Sequence, residues 1–203
     1  MIHITEQILR DTVTAFPFVE RYGGIGVPIQ TPDGIIPVSS YLSSDQCFQQ
    51  NKYKNLVPDD RYASMAYFDA SGSQTSAIEQ STRLKFNGVE ITTTFKLVVW
   101  VNMPKLGLTN PEDISLIALQ ANNAIMKDFQ GTFNGANVHM NITRTNILID
   151  RASCFGAYAY ADKQHLFMWP YGFFGIQATA RTLMPLNCFS EIQYNPQSCI
   201  THW

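Results

Sequence analysis

Charge is what this 203-residue chain is short of. Asp, Glu, Lys and Arg make up 15% of it, against roughly a quarter in an average soluble domain. The net charge is −2. Lysines and arginines nowhere cluster as they do where a protein grips a phosphate backbone, which argues against direct sequence-specific nucleic-acid binding. Long apolar runs are missing too. None exceeds Leu97–Val101, far short of the roughly 20 residues that a membrane-spanning helix needs, so no membrane partner is expected. The first residues, MIHITEQILRDT, lack a basic stretch followed by an apolar one and do not read as a secretory signal. Cysteine is sparse and scattered. Cys47, Cys154, Cys188 and Cys199 read as free, partly buried thiols in a reducing compartment.

Catalytic groupings are equally scarce. His3, His139, His165 and His202 are too dispersed to form a constellation, and neither a His-Glu-x-x-His zinc motif nor a Gly-x-Ser-x-Gly nucleophile elbow occurs. Cys188, Cys199 and His202 come nearest to a metal pattern, but they lack a fourth ligand and the paired spacing zinc prefers. Asp59-Asp60 lies in a proline-rich turn, and Glu112-Asp113 is explained by a helix start. Cys154 and Cys188 sit among apolar neighbours, which raise a thiol pKa rather than lower it. The sequence therefore predicts no enzyme, no cofactor and no metal.

Uncharged polar residues fill the place of charge, and aromatics reach 12%. That composition fits a β-rich protein with uncharged loops. It also fits a surface engaged by other subunits, because interface cores are poor in charge and rich in aromatics.

The strongest pattern is RLKFNGVEITTTFKLVVWVNM. It predicts a long β-hairpin over about 83–103, with Asn87-Gly88 as a type I′ turn. Val89, Ile91, Thr93, Phe95, Leu97, Val99 and Val101 share one face of the outgoing strand. The other face is polar from Glu90 to Lys96 and apolar at Val98 and Trp100. One half should be covered on one side and the other half on both. Before it, Arg61–Asp69 reads as a strand and 70–82 as a loop at the tip of a projecting unit spanning about 70–95.

Apolar spacing predicts an N-terminal helix over about 4–16, with Thr5 as a possible cap. Gly23-Gly24-Ile25-Gly26 reads as a flexible turn rather than a phosphate loop, since no Lys-Ser/Thr follows it. Pro32-Asp33-Gly34 should reverse the chain between strands near 27–30 and 35–39. Residues 43–60 show no period and read as a long loop. A central helix is expected over about 110–129, capped by Asn110 with Pro111 in its first turn and Gly131 as its stop. Leu116 and Leu119 widen its apolar arc, which predicts a well-covered helix. Alternation then returns at Val138–Ile142, at Asn146–Asp150, in the aromatics of Cys154–Ala161 and at Phe174–Thr182. Residues 166–174 (LFMWPYGFF) read either as a plug beneath a loop or as an interface patch. The whole forms one α+β domain with a mixed or antiparallel sheet.

Four stretches together carry a family resemblance: ILRDTVTAF (8–16), KFNGVEITTTFKLVVWVN (85–102), NPEDISLIALQANNAIMKDF (110–129) and MWPYGFFGIQATARTLMPLNC (168–188). Their order resembles the tail-terminator and neck (head–tail connector) proteins of tailed bacteriophages. Residues 43–60 and those after Cys188 have no counterpart in it. The resemblance implies a virion structural protein that forms a homo-oligomeric ring, commonly a hexamer, and contacts other tail or neck proteins. Rings need unlike patches meeting between neighbours, and a hairpin edge could supply one. The expected interface residues are Phe95, Leu97, Trp100, Trp169, Tyr171 and Phe173, with Val99 as a further structural anchor and Ser73, Gln74 and Thr75 as a contact loop. The alternative is a β-rich ligand- or carbohydrate-binding domain that uses the aromatics at 167–174 as a stacking platform.

Overall fold

The structure is a computed structural model, and it describes residues 2–32, 34–39, 55–80, 88–133 and 136–185. Helix α1 (Ile2–Thr14) leads into β1 (Arg21–Thr31), β2 (Gly34–Ser39), β3 (Ser64–Gln80) and β4 (Gly88–Asn102). Helix α2 (Asp113–Ile125), β5 (Phe129–Phe133), β6 (Ala136–Leu148), a short α3 (Arg151–Phe155) and β7 (Tyr171–Pro185) follow. One seven-stranded sheet runs in the order β2-β1-β3-β4-β7-β6-β5. Among the described strands only β1 and β3 pair in parallel, and every other pair is antiparallel. This is an α+β fold.

Strand β4 is the middle of the sheet. Ile91, Phe95, Leu97, Val99 and Val101 point to the face that carries α1 and α2, and all five are buried. Each such side chain taken from water contributes about 1.5–3 kcal/mol. The opposite face of β4 divides as its alternation predicts: Glu90, Thr92, Thr94 and Lys96 are only partly buried, whereas Val98 and Trp100 are fully buried. The cover over that second half comes from Phe155, Tyr158, Tyr160, Phe167 and Phe173.

The hairpin differs from expectation. Val89 pairs with Gln80, not Phe86, so the partner arm is β3; residues 81–87, with Asn87, lie outside the described residues. Residues 70–80 belong to a strand rather than a tip loop. Nor does 70–95 project. β7 pairs with β4 along its whole length, from Gly88↔Pro185 to Asn102↔Tyr171. Ile4 of α1 packs with Val89 and Ile91 at the outer end. Long strands built for reach were indistinguishable from long strands built for centrality until β7 was placed beside β4.

Gly23-Gly24-Ile25-Gly26 is not a break but part of β1. Its glycines answer to close approach. A Cβ on Gly23 would run into Leu56 Cδ2, and one on Gly26 would meet the Tyr67 ring at 2.7 Å. Gly24 takes φ 67 at the register shift between Tyr22 and Ile25, a bulge position where glycine costs least.

Helix boundaries also shift. Thr5 lies inside α1 and is buried. Helix α2 begins with Glu112 as its cap residue rather than Asn110, and no side chain caps it. Asn110 instead opens a preceding turn, accepting from Asp113 N through its carbonyl while its own N–H donates to the Asp113 carboxylate. Phe129 falls in β5 rather than in the helix, and Gly131 lies in that same strand rather than stopping the helix, which ends at Ile125. Leu116 and Leu119 are exposed, contrary to a well-covered helix. The aromatics of 154–161 belong to α3 and the turns after it, not to a strand.

Candidate functional site

Chemistry-bearing side chains converge where β3 and β4 pass beneath α3. Asp69 and Lys96 are direct cross-strand partners on the face opposite α1 and α2. Lys96 Nζ lies 2.7 Å from Asp69 Oδ2 and donates to the Ser153 and Cys154 carbonyls, each at 3.2 Å. Tyr158 Oη donates to Asp69 Oδ1 at 2.5 Å, and Ser71 N donates to the same oxygen at 2.9 Å. Asp69 is fully buried, so its charge depends on these partners. Tyr67 and Tyr160 complete the cluster within the same aromatic core.

These groups are engaged with one another and with the backbone. Burial, then the Asp69 carboxylate, pushes the Tyr158 phenol upward, and burial does the same to Tyr67 and Tyr160. Burial pushes the Cys154 thiol up to about 12, which keeps it protonated and a poor nucleophile. The Tyr158 hydroxyl donates to Asp69, Lys96 is engaged by a carboxylate and two carbonyls, and the cluster pins the segment 151–160 onto the sheet. Among the described residues no three of His, Cys, Asp and Glu gather as a metal site would require; Cys188, Cys199 and His202 lie outside them.

From that pinned segment the chain runs through a kinked 3-10 stretch, Ala161–Phe167, to the aromatic turn before β7. Phe167 and Phe173 pack edge-on to Phe155. Tyr171 stacks on Trp100 at 5.4 Å between ring centroids, and the Trp100 indole N–H donates to the Leu166 carbonyl at 2.7 Å. The turn is thus braced from below. Trp169 and Met168 stand out from it, 54% and 67% exposed.

The expected interface residues therefore separate. Phe95, Leu97, Val99 and Trp100 are fully covered by their own chain and offer no surface to a partner. Alternation identified them correctly as apolar positions, but it could not say that the cover is internal. Tyr171 and Phe173 are half-buried in the bracing layer. Trp169 alone of the six presents its ring outward. Ser73, Gln74 and Thr75 lie in β3 with only their backbone described. The Asp69–Lys96–Tyr158 cluster was missed, because no motif links residues so far apart; its one cue was a polar Lys96 facing a strand Asp. No protein-family model matches the chain, and no match is found among curated proteins. No described helix is long and apolar enough to cross a membrane.

Proposed function

We propose that this chain is a structural subunit of a bacteriophage virion, assembling with copies of itself into a ring that caps or joins the tail tube. The observation that carries the reading is the turn at Met168-Trp169: a large aromatic held outward on a rigid aromatic base. Binding hot spots favour such pre-organised tryptophans, since little side-chain freedom is lost on contact. The buried Lys96 cluster supports the same reading, because its groups are committed to holding that base. Strand β4 is paired on both sides, but among the described strands β3 pairs with β1 only from Met65 to Asp69, so its outer part keeps an edge that supports the ring contact beside the turn. A carbohydrate platform at 167–174 would need several open rings, and Phe167 and Phe173 are engaged with Phe155.

Native mass spectrometry of the full chain, alone and with tail or neck proteins, tests the proposal. Closed multiples of the 22.9 kDa protomer are expected, and Trp169→Ser should disperse them with an unchanged circular dichroism spectrum. A wild-type protein that stays at one protomer mass under both conditions would overturn the reading.

A further inference from the structure

Four side-chain oxygens among the described residues are buried without a hydrogen-bond partner: Tyr67 Oη, Asp69 Oδ2, Asn122 Oδ1 and Tyr160 Oη. Asn122 stands apart on α2. The other three converge. Tyr67 and Asp69 are two residues apart on β3 and so share the face beneath α3; both are fully buried, and Tyr160 is 4% exposed. Burial raises the Tyr67 phenol most, and its neighbours Tyr160 and Asp69 come next; after burial, Tyr67 and Asp69 are likewise the groups that act most on Tyr160. The three groups therefore face one another, yet neither phenol is placed to bond the other.

Buried polar groups are nearly always bonded, and here the hydrogen count does not close. Tyr158 Oη and Ser71 N both donate to Asp69 Oδ1. Lys96 Nζ donates to the Ser153 and Cys154 carbonyls and meets Asp69 Oδ2 at 2.7 Å as a charge, off the direction a hydrogen bond requires. Two phenol protons then have no acceptor among the described residues, and Asp69 Oδ2 has no hydrogen-bond donor. We infer that the site binds one water molecule, which accepts from Tyr67 and Tyr160 and donates to Asp69 Oδ2. The chemistry selects this ligand. A cation would compete with Lys96, which already supplies the counter-charge of Asp69, and an anion would meet the carboxylate. The unpaired atoms call for a neutral group with two acceptor positions and a proton to give, and water has both. The inference is independent of the ring reading. Through Tyr160, whose ring centroid lies 5.1 Å from that of Phe167, the water joins the buried cluster to the aromatic layer under the Trp169 turn.

A high-resolution crystal structure of the full chain provides the test. It should show a water at roughly 2.5–3.0 Å from Tyr67 Oη, Tyr160 Oη and Asp69 Oδ2. Direct bonds among these three oxygens, another side chain filling the place, or an empty site would overturn the inference. Thermal denaturation gives a second measurement. Tyr67→Phe and Tyr160→Phe each keep the ring and remove one donor to the water, so each should lower the midpoint by about 2–4 °C. A raised or unchanged midpoint would mean that these hydroxyls are unbonded in the folded chain, and would refute it.

Discussion

Around the buried Asp69 carboxylate sit the phenols of Tyr67, Tyr158 and Tyr160, each pushed up from its ordinary value near 10, chiefly by burial. The sign of the consequence follows from proton counting. Above pH 10 or so the unfolded chain releases these protons while the folded chain keeps them, so stability falls as pH rises. An absorbance titration should leave three of the nine tyrosines un-ionised until alkaline unfolding, with the two transitions coincident. Full ionisation near pH 10 with an intact far-ultraviolet spectrum would contradict the buried cluster. Little of this was legible in the sequence. Asp69 and Tyr158 are 89 positions apart, and neither a spacing nor a motif connects them. The exposure of Trp169 was equally hidden, since LFMWPYGFF reads the same whether it plugs a core or stands on one. At Asp59 the Arg61 side chain, through hydrogen bonds first, holds the carboxyl down to about 2, on a surface where such pairs contribute little.

Elements were easier to read where periodicity alone decides them, and harder where neighbours decide. The apolar stripe of α1 and the alternation of β4 and β7 located those elements within a few residues, whereas the two short runs expected at Val138–Ile142 and Asn146–Asp150 are one strand, β6. Glycine misled in β1, because its scarcity in strands made Gly23–Gly26 look like a break. The cause is tertiary: Leu56 and Tyr67 occupy the space a side chain would need. That account has a measurable consequence. Gly26→Ala should destabilise the protein by about 1–3 kcal/mol, more than Gly23→Ala, because the fully buried Tyr67 ring yields less readily than the end of a leucine. Thermal denaturation of both variants tests the order, and equal midpoints would show that β1 shifts to absorb the methyl. Asn87-Gly88 misled in the opposite direction: a strong local turn signal implied Phe86 opposite Val89, yet the register pairs Val89 with Gln80. On α2, wheel geometry found the inner face, but nothing in Leu116 and Leu119 themselves tells an exposed leucine from a covered one.

At the scale of the molecule, the sheet is dressed unequally. One face is covered by two helices, whereas the other is covered over half its length by α3 and the aromatic stretch. The turn from polar to apolar between Lys96 and Val98 announced this division in advance. Amide hydrogen exchange should follow it, with protection highest in β4 and β7 and lowest in the edge strands β2 and β5; equal protection across the sheet would argue against this strand order. The position of β7 carries a further consequence, concerning time. It comes last among the described strands yet lies between β4 and β6. Until Tyr171–Pro185 is synthesised and inserted, β4 and β6 each keep an unpaired edge, and the chain is left as two partial sheets with no shared centre. Such long-range closure slows folding and leaves strand edges open to wrong partners. During synthesis the described sheet is therefore joined at its middle, by the last of its own strands to arrive.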